Sequence, residues 1–160
     1  MRSIRFAALC LAAAPLLVAH PPLAAAPRQP DLRVAVQLAK VQRNGKWFVN
    51  MRFTVHNAGL VPAPQSVLGA WCRAVNGGPC PGIVPKPEYK LGPPAVGAGS
   101  PVVELRTPMI GAGGSAFVLG PQWMEWPNGG YTITARADFP NHIPESNEAN
   151  NEATAAIVIP

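Results

Sequence analysis

Two stretches of the chain alternate apolar and polar residues with a period of two. The first is Leu32–Leu38 and the second is Val49–Val55, and Asn44-Gly45 stands between them. A period of two places every second side chain on the same face of a strand. Asn-Gly favours the positive φ angles of a two-residue turn between antiparallel strands. This pattern predicts a β-hairpin with one buried face.

The rest of the chain indicates strands rather than helices. It contains 20 proline and 15 glycine residues in 160, and no segment shows ten residues of helical periodicity. Apolar stretches bounded by turn residues predict about seven or eight strands, which favours an all-β, immunoglobulin-like antiparallel β-sandwich. Beyond the hairpin, the predicted strands are Ser66–Cys72, Val102–Arg106, Ser115–Leu119, Tyr131–Asp138 and Ala153–Ile159.

The N-terminal residues have the pattern of a secretory signal peptide. Basic residues precede an apolar run, Phe6–Ala19, and the small residues Ala24–Ala26 follow it. The run of about 14 residues is too short to span a bilayer. We expect cleavage after Ala26 and a secreted or periplasmic product with no transmembrane segment. Residues 27–160 would then form one domain with a Pro/Gly-rich insertion around 72–101, strandless between Cys80 and Pro101.

Two of the three cysteines lie outside this predicted leader. An even number of cysteines in an exported chain predicts a disulfide, here between Cys72 and Cys80. Two free thiols are the alternative. A zinc site is disfavoured, because no histidine lies near the pair and the spacing exceeds that of zinc knuckles.

Charge and composition argue against nucleic-acid binding and catalysis. The net charge is +5, but the basic residues are scattered singly. Outside the leader the chain has two histidines, His56 and His142, and no phosphate loop or nucleophile elbow. We therefore expect a non-catalytic protein without a cofactor. A copper site is a weaker alternative, with the candidate ligands Met51, His56, Met109, Met124 and His142.

Residues 130–151, GYTITARADFPNHIPESNEANN, closely resemble the C-terminal motif of CARDB domains, the cell-adhesion-related domains of bacterial envelope proteins. The Asn57-Ala58-Gly59 turn stands where that family ends an early strand. The resemblance implies an immunoglobulin-like β-sandwich without catalytic machinery, used for adhesion or for presenting other modules.

The polar residues of this motif predict a self-sufficient closing turn. Asp138 and Asn141 can form hydrogen bonds with the backbone that follows them. Asn150 or Asn151 can adopt the left-handed conformation needed to enter the last strand. We expect a structural role for Asp138, Asn141, Glu145, Asn150 and Asn151. The alternative is a calcium site with the ligands Asp138, Asn141, Glu145 and Glu148. These four side chains lack the regular spacing of a calcium-binding loop.

Trp123 and Trp126 are the candidate ligand contacts. Residues three apart cannot share one face of a regular strand, so we expect one indole in the core opposite Trp71 and the other partly exposed. The expected partner is an envelope or extracellular protein. The alternative function is a glycan-binding module that stacks exposed tryptophan on a sugar ring.

Overall fold

A computed structural model describes residues 28–76, 80, 90–94, 101–120 and 122–160. The predicted leader, residues 1–26, lies outside them. The described residues form strands and turns, and they contain no helix long and apolar enough to cross a membrane. The strands are β1 Leu32–Arg43, β2 Lys46–Asn57, β3 Ser66–Ala74, β4 Lys90–Pro94, β5 Pro101–Thr107, β6 Ser115–Leu119, β7 Met124–Trp126, β8 Gly129–Arg136 and β9 Glu152–Ile159.

The strands form two sheets in which every pairing is antiparallel. The first sheet has the order β1-β2-β6, and β7 also pairs with β2. The second sheet has the order β4-β5-β3-β8-β9. The predicted all-β sandwich is confirmed. Its immunoglobulin-like character stays a prediction.

Two short strands, β4 and β7, have no sequence pattern that predicts them. β4 lies inside the stretch between Cys80 and Pro101, which was expected to be strandless, and it includes Pro93 and Pro94. Among the described strands it pairs with β5 alone, at the edge of the sheet, where a missing N–H is tolerated. β7 has three residues, too few to show a period.

The alternating pattern sets which face of the hairpin is buried. Asn44 and Gly45 form the turn with φ angles of 50° and 75°, and β1 and β2 pair along their full lengths. The predicted inward residues of β2, from Val49 to Val55, are all buried. Burial of each such apolar side chain contributes about 1.5–3 kcal/mol to folding.

Trp126 contributes a large aromatic side chain to the core. Because β7 pairs with β2, its indole is buried, and it contacts Tyr131 edge to face with ring centroids 4.6 Å apart. The expected packing opposite Trp71 is therefore wrong. The ring of Trp71 instead lies 6.4 Å from that of Phe139.

The loop after β2 passes against the chain that precedes β1. A Cβ atom on Gly59 would lie 2.5 Å from the Gln29 carbonyl oxygen and 2.6 Å from the Asp31 nitrogen. Both are backbone atoms, so a side-chain rotation cannot relieve the clash. Only glycine permits this close approach.

We predict that Gly59→Ala lowers the free energy of unfolding by about 1–3 kcal/mol, because the backbone before β1 must shift. Urea unfolding of the purified protein measures this difference. Gly111→Ala is the matched control, since its added Cβ would meet no atom within 4 Å. Equal losses in the two variants would contradict the packing described above.

Candidate functional site

Asp138 holds the closing turn, which is the segment 137–151 between β8 and β9. Its side chain is 1% exposed, and its Oδ2 accepts a hydrogen bond of 2.7 Å from the Ile143 N–H. Its backbone carbonyl accepts another, also 2.7 Å, from the Asn141 N–H. Asp138 and Asn141 have positive φ angles of 42° and 56°.

These φ angles correct one expectation. The left-handed conformation was assigned to Asn150 or Asn151, and neither residue adopts it. The tight reversal lies at Asp138 and Asn141 instead, where the backbone folds back to bring Ile143 to the Asp138 carboxylate. Short polar side chains of this kind tolerate that conformation.

Glu145 joins the closing turn to the first strand. One carboxylate oxygen accepts a hydrogen bond from the Leu32 N–H, and the other accepts one of 2.9 Å from Asn151 Nδ2. Glu148 accepts a hydrogen bond of 3.0 Å from the Glu145 N–H. The chain segments before β1 and β9 are thus held together by buried polar groups.

Asn150 binds the residue immediately before β1. Its Nδ2 donates a hydrogen bond of 2.8 Å to Asp31 Oδ1, while the other oxygen of Asp31 forms an ion pair of 2.9 Å with Arg33. Asp31 is itself buried. Asn150 therefore extends the contact between the closing turn and the start of the fold.

Asn57 completes this network and was not singled out as a site residue. Its side chain has no exposed surface, and its Oδ1 accepts hydrogen bonds from the Asp31 and Gly59 N–H groups. Its Nδ2 lies within hydrogen-bonding distance of three carbonyl oxygens, those of Val61, Ile110 and Gly111. The Asn-x-Gly turn marked this position in the sequence, but its distant partners follow only from the fold. We call Asp31, Asn57, Asp138, Glu145, Asn150 and Asn151 the polar latch.

Two carboxylates of the polar latch have shifted pKa values in opposite directions. Burial raises the pKa of Glu145, and the negative charges of Glu148 and Asp138 add to this effect, which outweighs the hydrogen bonds it accepts. Burial alone would also raise the pKa of Asp31. Hydrogen bonds from Asn150 and Arg33 outweigh that cost, so its pKa lies below the ordinary value.

A cleft of about 450 Å³ lies between the closing turn and the adjoining ends of β3 and β5. Ser66 and Thr107 are paired across these two strands. Their hydroxyl oxygens are buried and have no hydrogen-bond partner among the described residues. The lining residues are Gln65, Ser66, Val67, Arg106, Thr107, Pro108, Asp138, Pro140 and His142.

Trp123 is the exposed member of the tryptophan pair, with 48% of its surface accessible. Its backbone N–H donates a hydrogen bond of 2.7 Å to Asn50 Oδ1, and its φ angle is 56°. The Arg43 guanidinium lies 4.1 Å from the indole centroid. One face of the ring is therefore covered by a cation.

Apolar side chains are also exposed on the outer face of the first sheet. Phe117 and Leu119 of β6 are 62% and 58% exposed. Arg52 of β2 pairs with Leu119 in the strand register, and its guanidinium lies 4.4 Å from the Phe117 ring centroid. We call Arg52, Phe117 and Leu119 the β6 patch.

The two histidines lie in different parts of the fold. His56 is on β2, where its Nδ1 lies 3.0 Å from Ser115 Oγ, and His142 lines the cleft. Within the described ranges, no group of three or more His, Cys, Asp or Glu side chains could hold a metal ion.

Comparison with known proteins identifies the fold. The crystal structure of the CARDB domain of the PF1109 protein from Pyrococcus furiosus, in complex with di-metal ions, matches with a TM-score of 0.57. This chain has the fold of a CARDB domain. The match has 18% sequence identity and covers 83% of this chain and 96% of that one. A solution NMR structure of the same Pyrococcus CARDB domain gives a TM-score of 0.55 at 19% identity, covering 82% and 95%.

No family model and no curated protein matches the chain. At the identities found, the likeness to the Pyrococcus domain concerns the CARDB fold alone. The chain also contains the expected disulfide: Cys72 and Cys80 are bonded, with their Cα atoms 6.0 Å apart. It fixes Cys80 to the end of β3, beside the core.

We predict that Glu145→Gln becomes more stable relative to the wild type as the pH rises from about 4.5 to 7. Because the folded-state pKa of Glu145 is raised, its favourable contribution is present below the unfolded-state pKa and is lost as the pH rises through the folded-state pKa. A glutamine does not titrate. The Asn151 Oδ1, which has no partner among the described residues, can accept a hydrogen bond from the new amide if Asn151 turns over.

Urea unfolding at both pH values measures the change. Glu152→Gln, which removes an exposed carboxylate from β9, is the control. A difference between Glu145→Gln and the wild type that stays constant with pH, or that falls as the pH rises, would contradict the stated cause.

We predict that Asp138→Ala lowers the free energy of unfolding by about 1–3 kcal/mol, because the buried Ile143 N–H loses its acceptor. Asp138→Asn keeps an oxygen and tolerates the positive φ angle, so we expect less than half of that loss. Guanidinium unfolding separates the two variants. A loss below about 0.5 kcal/mol for the alanine variant would show that the hydrogen bond does not hold the turn.

Proposed function

We propose that this CARDB-fold domain is an exported, non-catalytic module that binds a protein partner at the bacterial envelope, and that the β6 patch is its contact surface. The observation that carries the proposal is the exposure of Phe117 and Leu119 around a stacked arginine. Aromatic and arginine side chains are enriched at the centres of protein interfaces. The cation–π contact favours a guanidinium position over the Phe117 ring.

The position of β6 supports the same function. Within the described residues β6 pairs with β2 alone, so its other edge carries backbone groups without a strand partner. An extended segment of a partner can add to such an edge while its side chains contact the neighbouring face. Phe117 and Leu119 both project from this strand on the outward side.

Export is supported by two features of the chain. The Cys72–Cys80 disulfide fits an oxidising compartment, and the N-terminal pattern is that of a secretory leader. His56 lies on β2 and His142 lines the cleft, so these two imidazoles do not converge on one site.

Glycan binding is the second candidate, carried by the exposed Trp123. Sugar rings stack on a free aromatic face, and Arg43 covers one face of this indole. Trp126 is buried and cannot contribute. The observations therefore favour a protein partner over a glycan.

The Pyrococcus CARDB domain is described in complex with di-metal ions, whereas the carboxylates of the polar latch in this chain are engaged by protein donors. Asp138 Oδ2 and both oxygens of Glu145 accept hydrogen bonds from N–H groups, and Asp31 is paired with Arg33. These donors compete with a cation for the same oxygens. Metal binding is therefore not part of the proposal.

The test changes Phe117 and Leu119 of the β6 patch and uses Val158 as a matched exposed position. A photo-crosslinking residue at position 117 should form a defined adduct with an envelope protein, whereas one at Val158, 66% exposed on β9, should not. The adduct protein, once purified, should bind Phe117→Ser/Leu119→Ser at least about tenfold more weakly than the wild type. Val158→Ser should bind it normally.

The outcomes separate the two candidate functions. Equal crosslinking at positions 117 and 158, or unchanged binding by the double variant, would contradict the β6 patch. A glycan array that gives a signal with the wild type and none with Trp123→Ala would favour sugar binding instead.

A further inference from the structure

The cleft beside the closing turn exposes donors and no carboxylate. Gln65, Arg106 and His142 are its exposed polar side chains. Asp138 also lines the cleft, but it is 1% exposed and its Oδ2 is held by the Ile143 N–H. A ligand entering the cleft therefore meets a guanidinium, an amide and an imidazole.

Arg106 is available for a ligand. It lies on the outward side of β5, opposite Val67 of β3, and it forms no ion pair among the described residues. A guanidinium presents paired N–H groups that match the two oxygens of a carboxylate. This geometry selects a planar anion over a neutral ligand.

We propose that this cleft binds a carboxylate group, with Arg106 as its ion-pair partner and the exposed side chains of Gln65 and His142 as additional donors. The same group is supplied by the C-terminus of a protein chain or by an acidic sugar. The cleft belongs to the second sheet and the β6 patch to the first, so this inference is independent of the proposed function.

Binding is measured by titrating the isotope-labelled protein and following its backbone amide signals by NMR. The probes are an acetylated Gly-Ala-Ala tripeptide with a free C-terminus, the same peptide as its C-terminal amide, glucuronic acid and glucose. We expect saturable shifts of the Ser66, Thr107 and His142 signals with one or both carboxylates. The amide and glucose should cause none. The tighter binder of the two, the tripeptide or glucuronic acid, identifies whether a protein C-terminus or an acidic sugar supplies the carboxylate.

Variants assign the roles of the side chains. Arg106→Gln should weaken carboxylate binding by about tenfold or more, while Arg73→Gln, which removes an exposed arginine of β3 outside the cleft, should not.

Three results would overturn the proposal. They are the absence of saturable shifts with either carboxylate, equal binding of the tripeptide and its amide, and unchanged affinity in Arg106→Gln.

Discussion

The fold depends on buried hydrogen bonds that join residues far apart in the sequence. Glu145 accepts the Leu32 N–H, Asn150 binds Asp31, and Asn57 accepts the Asp31 N–H. These contacts fasten the start of β1 to the loop after β2 and to the closing turn before β9. Hydrophobic burial supplies most of the driving force for the sandwich, but it is not directional. The hydrogen bonds of the polar latch are directional and select this arrangement of the loops, because each of its groups would remain unsatisfied in another arrangement.

The two candidate binding surfaces lie on different sheets and depend on the latch to different degrees. The β6 patch is built on two paired strands, and Phe117 and Arg52 are placed by the register between them. The cleft lies between strand ends and the turn that Asp138 holds. Disturbing the polar latch should therefore alter the cleft before it alters the patch. A CARDB-fold domain of this kind can present two separate surfaces on one small framework.

The sequence predicted local structure well and distant partners poorly. Alternation in β1 and β2 and the Asn44-Gly45 turn determine the hairpin, because strand period and turn geometry are local properties. The three-residue β7 and the proline-containing β4 have no period to read, and they form by pairing with strands already present. Asn57 was visible as a turn residue, but its contact with Asp31 requires the folded chain. The cleft could not be predicted, since Ser66, Thr107 and His142 come together only through sheet order and the closing turn.

Native-state hydrogen exchange tests the central role of the polar latch most directly, because it measures the opening free energy of each amide. We expect the Leu32 and Ile143 amides, which donate to Glu145 and Asp138, to exchange only through global unfolding. Their opening free energies should equal those of core amides in β2 and β8. Exchange of these two amides through local opening, well below the global free energy of unfolding, would contradict this role of the polar latch.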